Sequence, residues 1–245
     1  MKNIAASVRA HLLSHARSSG SDLLSFGDSS VEGLRQVFAE LLAARSEPED
    51  GLIWGHVEAS RIREDQRYQG VRIMVKATLA GAVVPVQVDI GFGDAITPAP
   101  VSLVWHELLD FPEARLLTYP PETVIAEKLD AAVQLELDNS RMKDFFDLDW
   151  LCRNMEFEHA TLRAAIVATF DRRGTMLPDE APLALTEEFA NDKTKITQWK
   201  AFLRKNRLEA DELPVVITRL HDFLMPILLP LAAASKTWKP ERGWS

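Results

Sequence analysis

The residue pattern predicts an α+β chain in which a mixed sheet comes first and helices follow. Two observations carry that prediction. Between Val71 and Asp89 apolar and polar residues alternate with period two, whereas from Tyr119 onward apolar residues recur at spacings of three and four. The period changes near Leu117. This divides the chain into an α/β core over 1–117, a helical domain over 118–235 and a loose polar tail over 236–245. With 245 residues, 47% of them hydrophobic, the chain can bury a sizeable core.

The elements follow in order. Ile4, Val8, Leu12 and His15 share one face of a short amphipathic helix that "SSGS" ends. "DLLSFGDSS" reads as a strand and a turn. "SSVEGLRQVFAELLAA" reads as a capped helix with Val31, Leu34, Val37, Phe38, Leu41 and Leu42 on one face. In "VRIMVKATLA" Val71, Ile73, Val75, Ala77 and Leu79 alternate with Arg72, Met74, Lys76 and Thr78. In "VVPVQVDIGFGD" Val84, Val86, Val88 and Ile90 alternate with Val83, Pro85, Gln87 and Asp89. Gly81 between them makes a hairpin, and Pro85, lacking an N–H, puts the second strand at an edge or beside a bulge. Helices are expected over 121–137, 141–154, 159–173, 186–189, 194–205 and 213–229. Arg172 and Arg173 suit a helix C-terminus that Gly174 caps.

Composition excludes several classes. A net charge of −8 and a pI near 5.3 exclude loose, charge-driven binding to nucleic acid or acidic membrane, so any such contact must be local. The single cysteine, Cys152, allows no internal disulfide and no cysteine-based zinc cluster; it reads as a small buried hydrophobe in a reducing, cytoplasmic setting. The six histidines show no metal-ligand spacing, and the six tryptophans are expected mostly in the core. The first residues lack the continuous apolar stretch of a signal peptide. The longest apolar run, "FLMPILLPLAAA", is twelve residues broken by Pro226 and Pro230, short of the roughly 20 that a membrane helix needs. A soluble protein is expected.

Four places invite chemistry. Asp89 lies on the side of its strand opposite the valine stripe, where a carboxylate suits a hard cation such as Mg²⁺ or serves as a solubilising edge charge. Lys128 falls between Val124, Ala132 and Leu135 on a helix whose wet side carries Glu127, Asp130 and Gln134. It either snorkels or meets a partner, such as a triphosphate approached as a point charge. In "SRMKDFFDLDWLC", with Ser140 or Asn139 as N-cap, Asp144 and Asp147 share a flank near the helix N-terminus and Lys143 can pair with Asp147. Phe145, Phe146, Leu148 and Leu151 pack inward. Such spacing fits an ordinary capped helix as well as a site wall. Lys200, Arg204, Lys205 and Arg207 form a basic helix end that is either a solvated face or a guide for RNA phosphate.

"YPPETVIAEKLDAAVQL" with "NSRMKDFFDLDWL" resembles the signature of the AbiEii/AbiGii-type nucleotidyltransferase toxins of toxin–antitoxin and abortive-infection systems. "VPVQVDIGFGDAITP", "DLLSFGDSSVEGLRQVFAEL", "RRGTMLP" and "ALTEEFANDKTKITQWKAFLRKNRL" extend the resemblance over most of the chain. It implies a DNA polymerase β-like nucleotidyltransferase core with a helical domain behind it. It further implies Mg²⁺-dependent transfer of a nucleotide from a nucleoside triphosphate to an RNA acceptor such as a tRNA end, and a cognate antitoxin. Residue by residue, Asp89 matches the third metal carboxylate, Lys128 the triphosphate-contacting lysine and Asp144 the essential acid of the Lys-Asp motif.

The chain departs from that pattern near its start. "ARSSG" meets "SDLLSFGD" directly, the glycine-rich turn is absent, and the Asp-x-Asp position reads Gly20, Ser21, Asp22, so only the second aspartate survives. Such an internal deletion implies a truncated core and a metal site reduced to Asp22 and Asp89. Impaired catalysis is the expectation. The alternative is a non-catalytic remnant that still binds antitoxin or RNA.

Overall fold

The structure, a computed structural model, describes residues 21–25, 27–44, 50–62, 70–105, 113–229 and 236–245. The helix expected around Ile4 to His15 lies outside them, as does Gly20. The chain forms two compact units, Met1–Asp94 with Ser102–Thr118, and Ala95–Val101 with Tyr119–Ser245.

The first unit is built on a mixed five-stranded sheet. Strands β4 (Gly70–Leu79) and β5 (Ala82–Phe92) pair antiparallel from Val71 opposite Ile90 to Leu79 opposite Ala82. Ala80 and Gly81 close the hairpin with φ of 48° and 86°. Both angles are positive, as a tight two-residue turn of the hand that matches strand twist requires. Strand β1 (Ser21–Ser25) runs parallel to β5 but covers only residues 88–92. Pro85 therefore lies where its missing N–H costs no pairing with β1. Strands β2 (Ile53–Trp54) and β3 (Glu58–Ile62) share the other edge of β4. Strands β6 (Val101–Trp105) and β7 (Ala114–Thr118) pair separately.

Helix α1 (Val31–Ala43) starts where the Ser30 hydroxyl accepts the Gly33 N–H at 3.1 Å. Its Leu34, Phe38 and Leu42 lie in a core with Val71, Ile73, Val75, Ala77, Val86, Val88 and Ile90, the period-two stripes of the hairpin. Val37, expected on the same face, is 56% exposed. The buried stripe follows one row of residues four apart, and Val37 lies off its flank.

Among the described residues six helices make the second unit: α2 (Pro121–Leu135), α3 (Met142–Asn154), α4 (His159–Arg173), α5 (Glu187–Asn191), α6 (Lys193–Asn206) and α7 (Leu213–Leu228). Gly174 caps α4 in the left-handed conformation at φ 66°, as its position after two arginines predicts. Pro226 lies inside α7, in its last turn. His159 Nε2 donates to the Pro226 carbonyl at 3.0 Å and the Arg163 guanidinium to those of Ile227 and Leu228, so the helix end is satisfied from α4.

Residues 236–245 are not a loose tail. Strands β9 (Thr237–Lys239) and β10 (Gly243–Trp244) join β8 (Phe157–Glu158) in a three-stranded sheet. Trp238 is buried, its Nε1 donating to the Cys152 carbonyl at 2.8 Å, and Trp244 Nε1 donates to that of Phe223 at 2.9 Å. Two amphipathic rings with satisfied N–H groups outweigh the polar composition around them. The tryptophans as a group are not uniformly core: Trp199 and Trp238 are buried, and Trp150 is 49% exposed.

Candidate functional site

Lys128 meets its partners on the next helix. Its Nζ lies 2.6 Å from Asp144 Oδ1 and 2.8 Å from Asp147 Oδ2, and Lys143 Nζ reaches the same Asp147 oxygen at 2.7 Å. The buried arc of α2 is Thr123, Ile125, Ala126, Leu129, Asp130, Ala131 and Ala132. Lys128 thus sits at the border of the apolar face rather than inside it, its side chain 16% exposed. Burial depresses its basicity, but the carboxylates of Asp144 and Asp147 outweigh that and hold its pKa above the ordinary lysine value. Such an ammonium stays charged at every physiological pH. It can act as a fixed point charge and donor, and not as a base or nucleophile.

Helix α3 presents the two carboxylates rigidly. Its N-terminal residue is preceded by Arg141, whose side chain makes no cap bond; instead Asn139 Oδ1 accepts the Arg141 N–H at 2.9 Å. The N-cap position is thus Arg141 rather than the expected Ser140 or Asn139, and Asn139 makes a turn two residues before it. Behind the carboxylates Phe145 and Leu148 are buried, while the Phe146 ring lies 5.9 Å from Phe202 and 6.4 Å from Trp199 of α6. Lys195, which no sequence pattern singles out, is buried with Nζ 3.0 Å from the Asn139 carbonyl. It ties α6 to the turn before α3.

Asp130, expected on the wet side of its helix, is 1% exposed. Arg173 Nη1 donates to its Oδ2 at 3.0 Å, and Arg173 also lies 3.6 Å from Glu127. The wet side of α2 is covered by α4, which a single-helix pattern cannot foresee. Asp149, likewise buried, pairs with Arg219 and, at 3.3 Å, with Arg153. Burial pushes its carboxyl pKa up, more than the Arg219 hydrogen bond pulls it down. Cys152 is fully buried and its thiol is pushed up to about 12 by desolvation, the inert hydrophobe expected.

In the first unit, Asp22 lies in backbone register with Asp89. Asp89 is not an open carboxylate. Arg72 Nε donates to its Oδ1 at 2.8 Å and Nη2 to its Oδ2 at 2.7 Å, and Gln87 Nε2 lies 3.3 and 3.2 Å from the two oxygens. The strand pattern marks Arg72 only as a residue of the polar side, yet a signal for its role exists. The residue eight places before Ala80 faces the one eight places after Gly81, and these are Arg72 and Asp89.

Among the described residues no group of three or more His, Cys, Asp or Glu could hold a metal ion. With both Asp89 oxygens engaged by a guanidinium, this donor set does not fit Mg²⁺, which needs several oxygens directed at one point.

Lys200, Arg204 and Lys205 lie in the last turns of α6, and Arg207 follows as its C-cap at φ 55°. All four are exposed. They are not brought to Lys128 or Asp144 by any ion pair or hydrogen bond among the described residues.

A family model described as the nucleotidyl transferase AbiEii toxin of type IV toxin–antitoxin systems matches residues 21–223, from β1 into α7. No curated protein and no solved structure matches the chain.

Proposed function

The chain belongs to the AbiEii nucleotidyl transferase toxin family, and from that premise we propose that it transfers a nucleotide from a nucleoside triphosphate to an RNA acceptor, a tRNA end, at an impaired rate. Family membership implies an antitoxin partner and a nucleotide substrate, and nucleotidyl transferases generally use a divalent metal. No helix among the described residues is long and apolar enough to cross a membrane. A cytoplasmic location fits this reading.

The observation that carries the proposal is the Lys128, Asp144, Asp147 cluster. In the reaction an acceptor hydroxyl oxygen bonds to the α-phosphorus, the bond to the β-phosphate bridge breaks, and pyrophosphate leaves with the electron pair. Lys128, permanently charged, is the group that meets the triphosphate and offsets charge gathering on the leaving side. Its bond to Asp144 uses Oδ1, which leaves Oδ2 to orient the acceptor hydroxyl or take its proton. Asp22 and Asp89 are the family's positions for the metal, Mg²⁺, and the loss of the glycine-rich turn and of the first Asp-x-Asp carboxylate weakens that part. The Arg72 clamp on Asp89 supports impairment. The exposed basic end of α6 is the place for RNA phosphate.

The test is incubation of the purified chain with total tRNA, Mg²⁺ and each labelled nucleoside triphosphate, beside Lys128→Ala and Asp144→Ala. Slow labelling lost in both variants is expected. Labelling that survives both overturns the roles given to them. A second reading, a non-catalytic module that binds antitoxin or RNA, is favoured by the engaged Asp89 and is selected by absence of label with RNA or antitoxin binding retained.

A further inference from the structure

The corner between α2 and α3 decides whether Lys128 and Asp144 meet. Lys128 lies eight places before Glu136 and Asp144 eight places after it, so a small change of angle at the corner becomes a larger displacement at the pair. Glu136 leaves α2 at a φ of 45°, and a short 3₁₀ turn over Glu136–Asp138 follows. A residue with a side chain rarely adopts that conformation and keeps it only where surrounding contacts enforce it. Those contacts converge on Asn139, which is fully buried. Its N–H donates to the Glu136 carbonyl at 3.2 Å, its Oδ1 accepts the Arg141 N–H at 2.9 Å, and its carbonyl accepts a hydrogen bond from Lys195 Nζ at 3.0 Å. The third bond comes from another helix, α6.

Lys195 is 5% exposed, and no carboxylate pairs with it among the described residues. Its Nζ lies 3.3 Å from Gln198 Oε1 and 5.7 Å from the centre of the Phe189 ring. A buried ammonium without an anionic partner costs stability, and an apolar residue of like size would fill the same space without that cost. What the charge holds therefore explains its presence better than packing does. Asp192 caps α6 through the Lys195 N–H at 2.8 Å, which fixes the backbone beneath the side chain. We propose that Lys195 is a positioning residue: by gripping the Asn139 carbonyl it sets the angle between α2 and α3, and with it the 2.6 Å contact of Lys128 with Asp144. A neutral side chain there frees the corner and lets Asp144 draw away from Lys128. The acceptor hydroxyl that Asp144 orients is then misplaced, whereas the charge of Lys128 stays available to the triphosphate.

This rests on reading Lys128 and Asp144 as the transferase groups, so the experiment has a readout that needs neither nucleotide nor RNA. The full chain is labelled competitively at its lysines with acetic anhydride, and mass spectrometry compares each site in the parent, Lys195→Met and Trp238→Phe, with circular dichroism to establish folding. Trp238→Phe loses the hydrogen bond to the Cys152 carbonyl, outside the corner, and reports what mere destabilisation does. The expected result is a Lys128 reactivity at least about threefold higher in Lys195→Met, the effect of about half a pKa unit on the free-amine fraction. Lys143, whose partner Asp147 is on its own helix, should not change, nor should Lys128 in Trp238→Phe. Unchanged Lys128 reactivity in Lys195→Met, or an equal rise in Trp238→Phe, overturns the inference. Where the parent transfers nucleotide, Lys195→Met should slow single-turnover transfer at least about tenfold and keep nucleotide affinity within about threefold; transfer at the parent's rate overturns the inference equally. A parent that transfers nothing counts against the proposed function and leaves the lysine result to decide this one. Should Lys195→Met fail to fold, Lys195→Gln, too short to reach the Asn139 carbonyl, is judged by the same outcomes.

Discussion

Substituting Lys128 by Met keeps most of the aliphatic stem and removes the charge that two carboxylates share. Asp147 retains Lys143 at 2.7 Å, but Asp144 loses its ion-pair partner, and two like charges are left on one flank of α3. Breaking a fully buried pair costs about 3–5 kcal/mol because a charge is stranded. Here the Asp144 and Asp147 side chains keep 19% and 26% of their exposure, so the expected loss is lower, about 2 kcal/mol. Adding Asp144→Asn relieves the stranded charge, and the two changes should couple by about 1 kcal/mol.

The pH dependence of that loss has a definite sign. The folded-state pKa of Lys128 is raised, so its contribution is fully present below the unfolded lysine pKa and is lost as pH rises through the folded value. The loss should therefore be the same at pH 6 and pH 9 and shrink only in stronger alkali. Urea unfolding followed by circular dichroism measures it. A Lys128→Met protein within about 0.5 kcal/mol of the parent, the range of ordinary surface changes, would refute the view of the cluster as a coupled, partly buried unit.

Other expectations follow from neighbouring groups. Arg219→Met leaves the buried Asp149 with Arg153 alone and should cost about 3 kcal/mol at pH 7. The Asp149 pKa is already raised, so the penalty belongs to the ionised form, is present above the folded pKa and is relieved as pH falls through it. Equal losses in melts at pH 7 and pH 4.5 would contradict this. Cys152 should resist a thiol reagent at pH 8 in the native chain and react on unfolding. Trp238→Ala opens the aromatic cluster and frees the Cys152 carbonyl, with an expected cost of about 3 kcal/mol; a melt unchanged from the parent would restore the view of this segment as loose. Lys200→Glu with Arg204→Glu should weaken RNA binding and flatten its salt dependence by roughly one unit of slope for each phosphate that the helix end no longer neutralises. Unchanged affinity in a filter-binding assay would reduce this helix end to a solvated face.

Local chemistry made much of this legible. The hairpin follows from alternation and the Ala80 and Gly81 turn, the end of α4 from Gly174, and the Lys143–Asp147 pair from their spacing of four. That Lys128 needs a partner is legible from its place on the helix, but that the partners are Asp144 and Asp147 is not. The features that sequence pattern hides depend on neighbours distant in the chain. Asp130 looks wet until α4 covers it with Arg173, and residues 236–245 look loose until Trp238 finds Cys152 and Phe223. The Arg72 clamp is within reach of register counting. One strand taken alone hides it, because the character of a strand face is decided by cross-strand pairs.

The measurement that bears most directly on the central claim is equilibrium binding of a labelled nucleoside triphosphate to the parent chain, Lys128→Met and Lys143→Met. Lys128 is held by two carboxylates at the border of a buried face, whereas Lys143 is 69% exposed and carries an equal charge. At least a tenfold loss in Lys128→Met, with Lys143→Met within about twofold of the parent, is the predicted result; a factor of ten corresponds to about 1.4 kcal/mol. Equal affinity in the parent and Lys128→Met would contradict the assignment of this cluster as the group that meets the nucleotide.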